Sequence, residues 1–280
     1  MYQTVELYEE PRKEIFSKLN ISEKPEMSEF DSAFLCGMLK KFRPAKIMEV
    51  GIAGGGTTAI IMQCMYLLGV PYELHSVDLN EKLYRGGQMQ SGYMGELAKE
   101  WIPDTNQKFH LGKLAHECMD QIGGDIDFLI LDTVHALPGE LLDFLALFPY
   151  LKEGAVVVLH DITCNYCTSN RNRFREMAYC TKILFDCVTA PKYLVEDTRT
   201  TVRNRLPNIG AFVYTKDTKE HISDVVSALS YTWYYMPNET QLKSYQVKIL
   251  QNLDAEGRWL FESAVKINKD ILNTVPDWKS

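Results

Sequence analysis

Two apolar runs in this chain end abruptly in groups that can move protons or hold a cation. The first, Ile126 to Asp132 (IDFLILD), leads into Thr133, Val134 and His135. The second, Ala155 to Leu159, leads into His160 and Asp161. Both runs stay apolar up to these groups, so Asp132, His135, His160 and Asp161 should emerge together at one end of the fold. Such a convergence of carboxylates and imidazoles exceeds what core packing needs. A histidine within reach of a hydroxyl can act as general base. Carboxylates suit Mg2+, and a histidine in the set favours another divalent metal. A bound cation would lower the pKa of a hydroxyl and orient it. Asp and His ligands can also hold Fe(II), so a metal-dependent oxidoreductase or hydroxylase is an alternative reading of the same residues.

A second chemical feature lies upstream, in Lys46 to Thr58 (KIMEVGIAGGGTT). A glycine-rich turn between a strand and a helix lets backbone approach a ligand and presents free N–H groups. A phosphate-binding P-loop needs a lysine after its last glycine. Gly51 and Gly56 have the P-loop spacing, but Thr57 stands at the lysine position. A dinucleotide loop needs a middle glycine for contact with pyrophosphate. Ala53 occupies that place, which disfavours an NAD-dependent oxidoreductase. Glu49, just before the turn, is a poor neighbour for phosphate and suits a cation. S-adenosylmethionine carries a sulfonium, an amino group and no phosphate. Glu49 could meet its amino group, while Gly51, Ala53, Gly54, Gly55 and Thr57 would form the bed beneath it. Asp78, in HSVDLN about 27 residues after Gly51, has the spacing of a carboxylate that binds ribose hydroxyls. A non-catalytic nucleotide-binding module would use the same turn.

These groups need a scaffold that brings strand ends together. Ile47–Val50, Tyr72–Asp78, Lys108–Leu111, Ile126–Asp132, Ala155–Leu159, Lys182–Val188 and Ile209–Tyr214 read as strands. Thr57–Leu68 and Pro138–Tyr150 read as helices, and Glu153-Gly154 reads as a turn. Apolar strands alternating with helices predict an α/β fold whose mainly parallel, doubly wound sheet is covered on both faces. Its crevice should lie at the carboxyl ends of the strands. Residues 1–42 read as a helical N-terminal extension, 43–216 as the α/β domain and 217–280 as a helical C-terminal extension. The last carries an aromatic cluster, Tyr231, Trp233, Tyr234 and Tyr235, suited mainly to packing and secondarily to substrate stacking.

Composition excludes several classes. The chain has 280 residues, 46% of them hydrophobic, and a formal net charge of -7. That charge argues against an extended nucleic-acid surface. The local cluster Arg171, Arg173 and Arg175 reads as a solvated helix start. No apolar run nears the roughly 20 residues that cross a bilayer, and Met1 to Glu10 lacks the apolar core of a signal peptide. No membrane partner is therefore expected. Seven cysteines scattered through apolar segments fit a reducing cytoplasm rather than a disulfide framework. Cys164 and Cys167 form a lone C-x-x-C, a weak basis for zinc.

EVGIAGGGTT followed by SVDLN resembles motifs I and II of class I S-adenosylmethionine-dependent methyltransferases. The closer resemblance is to the branch with catechol-type and macrolide-sugar O-methyltransferases, over roughly Glu29 to Tyr214. Asp132-x-x-His135 and Gly154 with His160-Asp161 are similar to that branch's later patterns. The resemblance implies a seven-stranded Rossmann-like methyltransferase fold and a small-molecule acceptor such as a sugar or secondary metabolite. It also implies that Asp132 and Asp161 hold a metal while His135 acts as base. His160 stands where the sugar-modifying members carry an acid, and Ile162 where catechol-type members carry Asn. His160 completes the expected metal set, and Asp132 is the orienting partner of His135 if no metal binds. Such enzymes often form a homodimer, for which the C-terminal aromatic segment is the natural contact. Asn80 to Gly95 is expected near the acceptor pocket or as a lid, and Glu29 near the cofactor.

Overall fold

Short apolar strands, buried almost throughout, build one sheet with a core on each face. The computed structural model describes residues 2–19, 21, 25–85, 88–166, 176–195 and 207–274. The strands are β1 (Lys46–Val50), β2 (Glu73–Asp78), β3 (Gln107–Leu111), β4 (Ile126–Leu131), β5 (Leu151–His160), β6 (Lys192–Tyr193) and β7 (Ile209–Val213). The helices are α1 (Glu10–Lys18), α2 (Glu29–Phe42), α3 (Gly56–Leu68), α4 (Tyr93–Ala98), α5 (Met119–Ile122) and α6 (Gly139–Leu147), then α7 (Cys180–Cys187), α8 (Lys216–Glu220), α9 (Ile222–Ser227), α10 (Glu239–Leu250) and α11 (Ala255–Thr274).

The sheet order is β3-β2-β1-β4-β5-β7-β6. β7 alone runs against its neighbours β5 and β6. Val50 lies level with Val77 and Leu131, and Leu131 with Leu159. The ends of β1, β2, β4 and β5 therefore stand side by side. Successive side chains of a strand point to opposite faces. Ile47, Phe128, Ile130, Val156 and Val158 join α2 and α3 in one core. Met48, Leu129, Leu131, Val157 and Leu159 join α6 and the C-terminal helices in the other.

The seven-stranded, mainly parallel sheet agrees with expectation, but two local readings change. Lys182–Val188 is not a strand but lies largely within α7. Cys180, Thr181, Leu184 and Phe185 are its buried residues, spaced as the inner stripe of a helix. The sixth strand is instead the short β6. Glu153-Gly154 is not a turn either, because β5 runs from Leu151 to His160. Its pairing passes from Ile126–Leu151 to Phe128–Val156, so the surplus residues bulge from the ladder. Gly154, at φ 88°, absorbs the bend.

The chain before α1 is extended rather than helical. Gln3 lies beside Tyr193, donates to Lys192 O at 2.9 Å and accepts from Leu194 N at 3.0 Å. It thus clips onto the β6 edge of the sheet. In the C-terminal aromatic cluster Trp233 is fully buried, and its Nε1 donates to Leu229 O at 2.8 Å. Arg171, Arg173, Arg175 and Cys167 lie outside the described residues. The six described cysteines form no disulfide, and no helix among the described residues is long and apolar enough to cross a membrane.

Phe128 is wholly buried in the central strand β4. Phe128→Ala should therefore cost about 3–5 kcal/mol, read as a lower midpoint in urea unfolding.

Candidate active site

The turn after β1 is shaped by one close approach. Gly51, at φ 91°, donates from its N–H to Val77 O at 2.9 Å. A Cβ at Gly51 would lie 1.9 Å from Asp132 O, so no side chain fits. Asp132 N donates back to Val50 O at 3.0 Å. The turn thus leaves its strand pressed against the residue that follows β4. Gly55, at φ 84°, caps α3, and a Cβ there would strike the Gly92 backbone at 2.7 Å. Gly92 N and Met94 N donate to Ala53 O and Gly54 O, both at 2.9 Å. The segment after β2 is therefore docked on the turn by backbone bonds.

Asp78 ties the turn from the other side. Its Oδ2 accepts from Ile52 N at 2.9 Å and Ala53 N at 3.0 Å, and its Oδ1 accepts from Asn80 N at 2.8 Å. Glu49 is placed differently from the sequence expectation. It is fully buried beneath the turn, and its Oε2 accepts from Thr58 Oγ1 at 2.6 Å and Ser76 Oγ at 2.7 Å. The strand alternation that puts Val50 at the crevice turns Glu49 inward, and Glu49 lines neither adjacent cavity. Burial, opposed by these hydroxyls, pushes its pKa up to about 7.

Beyond β4 and β5 the acidic and imidazole groups meet as the sequence suggests. His135 Nε2 lies 3.0 Å from Asp161 Oδ2 and 3.8 Å from Asp132 Oδ1. Ligand atoms of Asp132, His135 and Asp161 all fall within 4.8 Å of one another. His160 lies outside this trio. It is buried, with Nδ1 3.1 Å from Asp132 Oδ1 and Nε2 3.5 Å from Asp31 Oδ2. Ser28 Oγ donates to Asp31 Oδ2 at 2.6 Å. Asp31 is thus the group of the N-terminal helices that reaches the crevice. Glu29 points outward to Arg12 at 3.5 Å.

Both turns that carry these groups are strained. His135 and Asp161 have φ of 60° and 58°, a region that costs non-glycine residues about 1–3 kcal/mol each. The surroundings hold them there. Glu140 Oε1 accepts from His135 N at 2.6 Å and from Thr133 Oγ1 at 3.0 Å, and lies 3.4 Å from His135 Nδ1. Cys180 N donates to His135 O at 2.9 Å. Asn208 Nδ2 donates to Asp161 Oδ1, while Asn208 Oδ1 accepts from Thr163 N at 3.1 Å.

Electrostatics favour the imidazolium forms. Burial pulls the His135 pKa down, but Glu140, Asp161 and Asp132 outweigh it and lift it to about 9. His160 is likewise raised well above its usual range: burial is overcome by Asp132, Asp161 and Asp31. Burial alone would raise Glu140, yet the neighbouring His135 holds it below the ordinary carboxylate value.

Two cavities flank the turn. One, of about 530 Å³, reaches from Asp78 and Leu79 to Asp143 and Tyr245; the other, of about 700 Å³, is bounded by Pro25, Ser28, Asp31, Gly54, Thr57 and His160. Gly51, Ala53, Tyr84, Arg85, Asp132, His135 and Asp161 border both. Gly55 is buried in the turn and borders neither. The segment after β2 thus contributes Tyr84 and Arg85, and Arg85 Nη2 pairs with Glu26 at 3.3 Å across the opening.

A family model described as a methyltransferase domain matches residues 48–162, the span from β1 to the turn after β5. Residues 48–162 are a methyltransferase domain. No curated protein matches the sequence. Among solved structures, a Staphylococcus aureus protein provisionally named a caffeoyl-CoA O-methyltransferase is 14% identical. The alignment covers 72% of this chain and 91% of that one, with a TM-score of 0.50. An O-methyltransferase from Bacillus cereus, solved with S-adenosylhomocysteine, is also 14% identical, covering 74% and 92% with a TM-score of 0.47. The MycE methyltransferase of mycinamycin biosynthesis, solved with Mg, S-adenosylhomocysteine and mycinamycin VI, is 15% identical, covering 75% and 54% with a TM-score of 0.45. At these identities the likeness is one of fold.

Within the methyltransferase domain, sequence reading missed Glu140 and Asp143. Both are acids on α6, a helix buried along its whole length, and that oddity was the available signal. Asp31 and Asn208, outside the domain, carried none.

The buried Glu49 yields a test. Its pKa in the fold lies above its unfolded value, so the fold binds the proton more tightly. That stabilisation is present at low pH and is lost as pH rises from about 4.5 through about 7, roughly 3 kcal/mol in all. Glu49→Gln keeps the neutral form. Its melting temperature relative to the parent should rise between pH 5 and pH 8, measured by thermal unfolding.

Proposed function

We propose that this chain transfers a methyl group from S-adenosylmethionine to a hydroxyl of a small molecule, a sugar or a secondary metabolite, with His135 as general base. One observation carries the reading. A glycine turn bound to Asp78 shares a crevice with Asp132, His135 and Asp161, which stand at the ends of the two neighbouring strands.

The residues fit the cofactor. The turn has close backbone approach and no lysine of its own, and Asp78, Asp132 and Asp161 stand beside it, where they can balance a positively charged nucleoside. Gly51, Ala53, Gly54 and Thr57 would lie beneath the cofactor, and Asp78 would hold the ribose. Glu49 would support the turn from below. Bound there, S-adenosylmethionine supplies an electrophilic methyl on a sulfonium.

The chain's own groups then act on the acceptor. A neutral hydroxyl is a weak nucleophile, and His135 Nε2 would take its proton as oxygen bonds to the methyl carbon and the carbon–sulfur bond breaks. Glu140 and Asp161 would fix the ring and stabilise the imidazolium. Alignment of acceptor and methyl supplies much of the acceleration. The compact set of two carboxylates and an imidazole also fits a divalent cation. Asp132 and Asp161 would hold Mg2+ or a related ion beside His135, where its charge would offset their field and lower the acceptor pKa.

Three measurements check this. His135→Ala should lower turnover by about 10²–10⁴ while S-adenosylhomocysteine affinity stays within twofold by calorimetry. Lost affinity with intact turnover would sink the assignment. A base must be neutral, and the His135 pKa is raised to about 9. Without added metal, kcat/KM should therefore climb from pH 7 and level off near pH 9. Asp132→Asn should abolish calorimetric Mn2+ binding and leave S-adenosylhomocysteine binding in place.

A further inference from the structure

The smaller cavity continues past the methyltransferase domain. Its outer wall is Tyr235, Pro237, Gln241 and Tyr245, all from the C-terminal segment. Gln241 and Tyr245 belong to α10, and that helix is clamped on two sides. On one, Ser244 Oγ lies 2.7 Å from His116 Nε2 and donates to Glu117 Oε1 at 3.0 Å. Glu117 Oε2 accepts from Leu114 N at 3.0 Å, so the clamp grips the loop that follows β3. On the other side, Tyr245 donates to Asp143 Oδ1 at 2.6 Å, which ties α10 to α6. The Tyr245 ring also lies 4.7 Å from the His116 ring.

The space enclosed by these ties has a direction. Asp78 ends β2, and the walls next to it are Leu79, Leu114 and Ala115. A nucleoside with its ribose on Asp78 would place its base along those apolar surfaces, toward the side that α10 closes. Gln241 stands there; its Oε1 accepts from Asn238 N at 3.2 Å in the cap of α10, which leaves its Nε2 to donate to a ring nitrogen at the base edge. We infer that α10 is the outer wall of an adenine slot, with Gln241 facing the base and the Ser244–His116–Glu117 clamp fixing the wall in place. Cofactor binding would then require the C-terminal helices as well as the domain. The inference rests on the cofactor reading given above.

The test is calorimetry on the full chain with two probes, S-adenosylhomocysteine and adenosine. Gln241 is only partly buried on a helix surface, so Gln241→Trp should fold and fill the slot. Both probes should bind at least tenfold more weakly. Ser244→Ala should weaken both about threefold to tenfold, and Ser244→Thr, which keeps the hydroxyl, should restore them. Parent-like affinity for both probes in Gln241→Trp and Ser244→Ala would overturn the slot. If Gln241→Trp loses cooperative melting, the Ser244 pair decides alone. A parent chain that binds neither probe would instead refute the cofactor reading, and the slot with it.

Discussion

The contact between Gly51 and the Asp132 carbonyl governs the rest of the crevice. Two adjacent strands leave the sheet so close together that a single methyl group would separate them. That contact places a glycine-rich turn beside the strand end that carries Asp132 and His135 without any long loop. Everything further out is arranged around it: Asp78 braces the turn laterally, α4 and its approach dock on it, and α6 begins just behind His135. Rigid elements hold side chains in position better than loops do, and here Asp78, Asp132, His135 and Asp161 sit within a few residues of strand ends.

The crevice gathers charge at a cost. Taking carboxylates and imidazoles out of water is unfavourable unless they pair and bond well. The arrangement answers this with alternation, as Asp31, His160, Asp132, His135 and Glu140 place opposite charges next to one another. Such a chain is well compensated by its own pairs, and a cation or a neutral acceptor at this point would have to compete with them. The left-handed backbone at His135 and Asp161 adds strain, and buried neighbours must sustain it. The region should be more sensitive to substitution at Glu140 and Asn208 than at other polar side chains, because these two hold the strained turns.

Much of the fold was legible because central strands of a parallel sheet are apolar throughout and helices between them keep a regular stripe. Lys182–Val188 misled because a short apolar run of seven residues fits either state, and packing of Leu184 and Phe185 against the sheet decided for helix. The trio at the strand ends was visible in DTVH and HD, since polar groups directly after apolar strands have few places to go. The inward turn of Glu49 was harder to see: which face a strand residue occupies depends on register with its neighbours. Asp31, Asn208 and the α10 wall come from distant parts of the chain, and only tertiary packing brings them in.

The Gln3 clip on β6 has a consequence for how copies of this chain behave together. An uncovered strand border is a template on which another polypeptide can add itself. Here the leading segment occupies that border, so the sheet terminates within its own molecule. Displacing the segment around Gln3 would open a seam, and clumping through main-chain zippering would be its first symptom.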